Sequence, residues 1–297
     1  MKELADISRM DCLYSVHEDE PRKGSVMKQF PIALQLFSVR DEMEADFEGT
    51  LRQVRELGYD GVEFAGLFGR SGGEVKQLCD RLGLTPISAH VTYAQMMDDP
   101  TVWQDYRLLG CPHIASATLP PELRPAGGRF DEAIEGLKIL GARAQACGIR
   151  LAYHNHDYEF ERIDGEYALD RLYRQVPAAL LDAQLDVCWV NVGGEDPADY
   201  IRRYAGRVPV LHLKDFVGRR NDVAYALRAT PADRRDEVER EFELRPVGCG
   251  LQNIPEILAA AEDAGTQWLV VEQDRPSMGL SPLECARRSV EYLRSLY

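Results

Sequence analysis

Residues 34–41 read LQLFSVRD and contain no glycine. They overlap the end of an apolar run, Ile32–Phe37 (IALQLF), that has the composition of a first β-strand. An open, doubly wound sheet would need a glycine-rich phosphate turn at this place. Its absence favours the other architecture that alternates strands and helices, the (β/α)₈ barrel.

The same short form recurs outward from that stretch. GVEFA (61–65), TPISAH (85–90), PHIASA (112–117) and IRLAYH (149–154) each read as a strand. Segments of helical period separate them, near 44–57, 73–82, 95–109 and 129–147, and Gly58, Gly83, Gly110 and Gly148 end those helices. The second half repeats the rhythm with Leu180–Asp186, PVLHLK (209–214) and WLVVE (268–272), and with helices near 166–175, 197–205, 253–264 and 281–295. Eight such units in roughly 270 residues predict one TIM barrel over 29–297, preceded by an N-terminal extension, 1–28. The polar stretch 217–243 falls outside the repeat. It reads as a solvated helix, with an active-site cover or a subunit contact as the alternative.

Composition narrows the function. The chain has 297 residues and a formal charge of −14, which disfavours a nucleic-acid partner. Seven cysteines without a CxxC pair suggest reduced thiols and a cytoplasmic location. No apolar run approaches the roughly 20 residues needed to cross a membrane, so no membrane partner is expected. The expected partner is a small-molecule sugar or polyol, and a homo-oligomer is compatible with everything above.

In this architecture chemistry sits at the carboxyl ends of the strands. Four of the six histidines lie there: His90, His154, His156 and His212. Strands five to eight end in His154, Asp186, His212 and Glu272, one metal-binding group each. Nitrogen and carboxylate donors together suit Mn²⁺, taken as the first choice, or Zn²⁺, Co²⁺ or Fe²⁺. A lone histidine or acid at a strand end is often only a hydrogen-bonded structural residue. Four on consecutive strands point to one shared divalent ion. His156, Glu159, Lys214 and Glu272 are the candidate proton-transfer and oxygen-holding groups. Gln35, Glu63, His90 and Trp189 are candidates for substrate binding.

LQLFSVRD, VEFAG, YHNHDYEF, LDVCW, HLKD, VGCG and VVEQD together resemble the xylose-isomerase-like barrels, the sugar phosphate isomerase/epimerase family, over about residues 30 to 297. The resemblance implies a metal-dependent isomerase, epimerase or lyase acting on a sugar, keto-sugar, inositol derivative or keto-glycoside through an enediolate. It also implies a Glu, Asp, His, Glu ligand set, of which Asp186, His212 and Glu272 match the last three and His154 replaces the first glutamate. That exchange removes a negative charge and a carboxylate acid/base, and it favours the inosose dehydratase branch over the ketose epimerases. His156 or Glu159 is an alternative strand-five ligand. An endonuclease IV-like nuclease and a non-catalytic sugar-binding barrel are the competing readings. VGCG (247–250) leaves a phosphate-binding turn open.

Overall fold

The computed structural model describes residues 28–218 and 242–297. The expected extension, apart from Lys28, and the interior of the polar stretch 217–243 lie outside the described residues.

Eight parallel strands form the barrel: β1 Ile32–Gln35, β2 Gly61–Phe64, β3 Thr85–Val91, β4 His113–Ser116, β5 Arg150–His154, β6 Asp182–Gln184, β7 Val210–Leu213 and β8 Trp268–Val271. Their hydrogen-bonded order is β6-β5-β4-β3-β2-β1-β8-β7. The ring then closes between β6 and β7 through a single parallel bridge, Asp186 to His212, in which the His212 N–H donates to Leu185 O at 2.9 Å. Two short antiparallel strand pairs, Arg162–Ile163 with Glu166–Tyr167 and Asp215–Gly218 with Phe242–Arg245, stand outside the barrel.

Period-two alternation sorts the side chains. Leu34, Leu211, Leu213, Leu269 and Val271 belong to the large core shared with the surrounding helices. Ala33, Ile87, Val210 and Val270, with Trp268, form a separate small cluster inside the barrel. On β1, β7 and β8 the next inward position after Ala33, Val210 and Val270 carries a polar group: Gln35, His212 and Glu272.

The eight expected strands are all present, but two expected helices are each divided. The segment near 44–57 becomes Arg40–Ala45 and Phe47–Glu56, because Asp46 leaves the helical conformation and its carboxylate caps Gly49 N–H. The segment near 95–109 becomes Tyr93–Asp98 and Thr101–Leu109. Asp99 is extended before Pro100, as a residue preceding proline tends to be. A short helix, Val187–Val192, directly after Asp186 is not foreseen by periodicity.

Candidate metal centre

His154 is the last residue of β5, and Ala152, two residues earlier, lies on the same face of the strand. Asn155 turns away and its Oδ1 accepts from Asp186 N–H at 3.0 Å, tying β5 to the end of β6. The two Asp186 oxygens have different tasks. Oδ1 caps the following helix by accepting from Cys188 N–H and Trp189 N–H, whereas Oδ2 lies 3.8 Å from His154 Nε2.

His212, on β7, places Nδ1 3.0 Å from Glu272 Oε2, just past β8. One donor atom from each of His154, Asp186, His212 and Glu272 lies within 4.8 Å of all the others. The four residues are at most 3% exposed. Buried His154 Nδ1 has no hydrogen-bond partner, nor have Asp186 Oδ2 and His212 Nε2 an aligned one. A buried polar atom without an aligned hydrogen bond is costly unless something else satisfies it. Two nitrogens and two carboxylates at this spacing fit a divalent transition-metal ion.

Lys214, the next inward position after His212, brings Nζ to 3.2 Å from Asp186 Oδ2, 3.2 Å from Glu272 Oε2 and 3.4 Å from Asp274 Oδ2. The adjacent Asp215 is committed elsewhere. The Asp215 carboxylate accepts from the backbone N–H groups of Phe216, Gly248, Gly250 and Gln252 at 2.9 to 3.1 Å. The VGCG turn therefore does cradle an anion, but that anion is the chain's own aspartate.

Burial and charge set the protonation of the cluster. Burial lowers the His154 imidazole well below its usual value, and His212 and His90 push it further, so it is neutral. Burial also opposes the charge on His212, but Glu63 and Glu272 outweigh it and raise that imidazole to about 10. Burial would raise Glu272, yet Lys214 and His212 hold it well below the ordinary carboxylate range. At Asp186 burial wins over Lys214, and its value is raised.

The expected substrate-binding residues divide into two sets. Trp189 is buried beside the cluster, its ring centroid 5.3 Å from Lys214 Nζ and 5.9 Å from the His156 ring. Gln35, Glu63 and His90 instead satisfy one another. Gln35 Nε2 donates to Glu63 Oε1 at 2.5 Å, while its Oε1 accepts from Phe37 N–H. Ser88 Oγ and Gln184 Nε2 donate to Glu63 Oε2. His90 Nε2 lies 2.9 Å from Glu63 Oε1 and 2.8 Å from Gln184 Oε1. With all their polar atoms occupied, Gln35 and Glu63 form a layer below the cluster, not a hydroxyl-binding rim.

Glu159 departs from its expected place in the same way. It is fully buried, accepting from Tyr153 Oη–H on one oxygen and from His156 N–H on the other at 2.8 Å. It does not join the four-residue cluster, which leaves His154 as the strand-five member. Ser88, Gln184 and Asp274 were not anticipated. Each lies two positions from a candidate, at His90, Asp186 and Glu272 respectively.

A family model described as xylose isomerase-like TIM barrel matches residues 51–296. An inosose dehydratase of Geobacillus kaustophilus is 23% identical over 270 residues, covering 83% of this chain and 86% of that protein. Among solved structures, a sugar phosphate isomerase/epimerase from Parabacteroides distasonis superposes with a TM-score of 0.67 at 21% identity, over 94% of this chain and 97% of the other. An IolI protein with a bound zinc atom superposes with a TM-score of 0.67 at 13% identity, over 90% and 98%.

Proposed function

Because the chain belongs to the xylose isomerase-like TIM barrel family, we propose that it is a divalent-metal-dependent enzyme of the isomerase, epimerase and dehydratase group, acting on a keto-polyol through an enediolate. A dehydratase acting on an inosose or a close keto-polyol is the member of that group we favour. The observation that carries the reading is the buried convergence of His154, Asp186, His212 and Glu272 with Lys214 beside them. These four residues would hold the ion, with Mn²⁺, Zn²⁺, Co²⁺ and Fe²⁺ all compatible with the donors. When bound, it supplies positive charge to adjacent carbonyl and hydroxyl oxygens of a substrate.

The protein's own groups then divide the remaining work. Lys214 is an ammonium whose three donors face the carboxylates of Asp186, Glu272 and Asp274, and its charge suits a substrate oxygen that gains negative charge. His156 and Glu272 are the proton carriers. Removing the proton beside the ketone leaves an enediolate, and loss of hydroxide from the next carbon, with a returned proton, completes a dehydration as water. Glu159 fixes the backbone at His156 and so sets that imidazole's position. Trp189 presents an apolar face to the C–H side of a ring.

His154 in place of a carboxylate leaves one fewer base at the site. This supports dehydration over the two-carboxylate exchange of an epimerase. The test is incubation of the Mn²⁺-loaded protein with inosose in D₂O. A dehydrated product that carries deuterium at the carbon that lost hydroxide is the expected result. Deuterium with an inverted or relocated carbonyl and no loss of water would assign isomerisation or epimerisation, and no exchange with any keto-polyol would overturn the reading.

A further inference from the structure

Glu63 is a carboxylate with no exposure at all, held in the centre of the barrel by five side chains. Oε2 takes hydrogen bonds from Ser88 and Gln184. Oε1 takes one from Gln35 and lies 2.9 Å from His90 Nε2 and 2.8 Å from His212 Nε2. The approach to His212 Nε2 is off the ring's N–H direction, and no aligned partner satisfies that nitrogen. Directly beneath, the interior is apolar: Ala33, Ile87 and Val270. An apolar residue would suit the fold at Glu63, because burying a carboxylate costs several kcal/mol unless its charge is used.

Its use is visible on the far side of the His212 ring. Nε2 faces Glu63, while Nδ1 faces Glu272 and the metal-binding cluster. A neutral imidazole can offer only one lone pair, and the nitrogen that bears the proton is fixed by what the other faces. We propose that Glu63 is a positioning residue of the metal centre, which keeps the His212 proton on Nε2 and so presents Nδ1 as the ligand atom.

His90 is held on the same oxygen, with its ring stacked 5.0 Å from that of His212 at 10°. It fixes the ring plane from the side. The inference rests on the metal reading above and adds to it a residue that touches neither ion nor substrate. A glutamine at position 63 cannot reproduce the network. Its amide NH₂ would face the donors of Gln35, His90 and His212 in one orientation and those of Gln184 in the other.

The test uses Zn²⁺, which is diamagnetic, with ¹⁵N-histidine-labelled protein. In the Zn²⁺-loaded wild type, long-range ¹H–¹⁵N correlation should show His212 coordinated through Nδ1 and protonated on Nε2. Coordination through Nε2 would overturn the proposal with no variant needed. By chelator competition, Glu63→Gln should bind Zn²⁺ about 10–100-fold more weakly than wild type. Ser88→Ala, which removes one hydrogen bond but keeps the carboxylate, should stay within about threefold. Equal affinity in folded Glu63→Gln would also overturn it. A wild type that binds no Zn²⁺ would bring down the metal reading itself, whereas wild-type binding that is lost in Asp186→Ala upholds that reading whatever Glu63→Gln does.

Discussion

Lys214 Nζ stands 3.2 Å from Asp186 Oδ2 and 3.2 Å from Glu272 Oε2, bridging two carboxylates that reach the same space from opposite sides of the barrel's closing seam. All three groups are buried. In the absence of an ion, this ammonium is the charge that lets the two acids share that space.

Replacing Lys214 with methionine therefore removes the cation from a buried pair. The expected cost is about 3–5 kcal/mol, the range for breaking such pairs by deleting one partner. Urea unfolding with and without Mn²⁺ measures it, and a bound ion should recover part of the loss. A variant as stable as wild type without metal would show that the carboxylates are protonated instead.

Asp186→Ala and Glu272→Ala should each lower metal content from about one equivalent per chain to less than about a tenth, with the far-ultraviolet spectrum of the barrel unchanged. Elemental analysis of protein purified without chelator decides the matter. Full retention in both variants would mean that the ion binds elsewhere.

His154→Glu adds back a carboxylate oxygen donor. The variant should still bind one ion, and its preference for Mn²⁺ over Zn²⁺ should rise by about tenfold, since harder oxygen donors suit the harder ion. Competition between the two ions, read by elemental analysis, checks the shift.

Burial pushes the Glu159 carboxyl from 4.5 up to about 7, against the hydrogen bonds from Tyr153 and His156. The folded protein thus keeps a proton that the unfolded chain has already released. Stability should fall as pH rises between about 4.5 and 7, by about 3 kcal/mol in all, and the loss is complete above that window. Glu159→Gln keeps an acceptor for His156 N–H and should remove this part of the pH dependence. Unfolding curves at several pH values, compared between the two proteins, provide the check.

Asp215→Ala leaves the N–H groups of Gly248, Gly250 and Gln252 without their common acceptor. A destabilisation of at least about 2 kcal/mol is expected. Amide exchange at Gly248 and Gly250 should quicken, and unchanged protection there would show that the turn holds itself.

Much of this arrangement is legible in residue order. Alternation along IRLAYH and PVLHLK puts His154, His212 and Lys214 inward because a strand's period is two. The rule that chemistry gathers at strand ends then selects them. The same period, carried two residues back or on, would have found Ser88, Gln184 and Asp274. What a linear reading misses is satisfaction. Glu63 and Gln35 have the residue types of a sugar-binding rim, and only the hydrogen bond between them across β1 and β2 shows that they face each other. The division of the helices at Asp46 and Pro100 is likewise local chemistry overriding a continuous apolar period.

The barrel's closure has a further consequence. Between β6 and β7 a single backbone bridge joins Asp186 to His212, and these are two of the four clustered donors. An ion gripped by both would act as a clasp on the one join where the hoop has least backbone pairing to hold it. Stripping the ion would then slacken this join before the rest of the ring, so that catalytic competence and mechanical integrity would be lost at the same place.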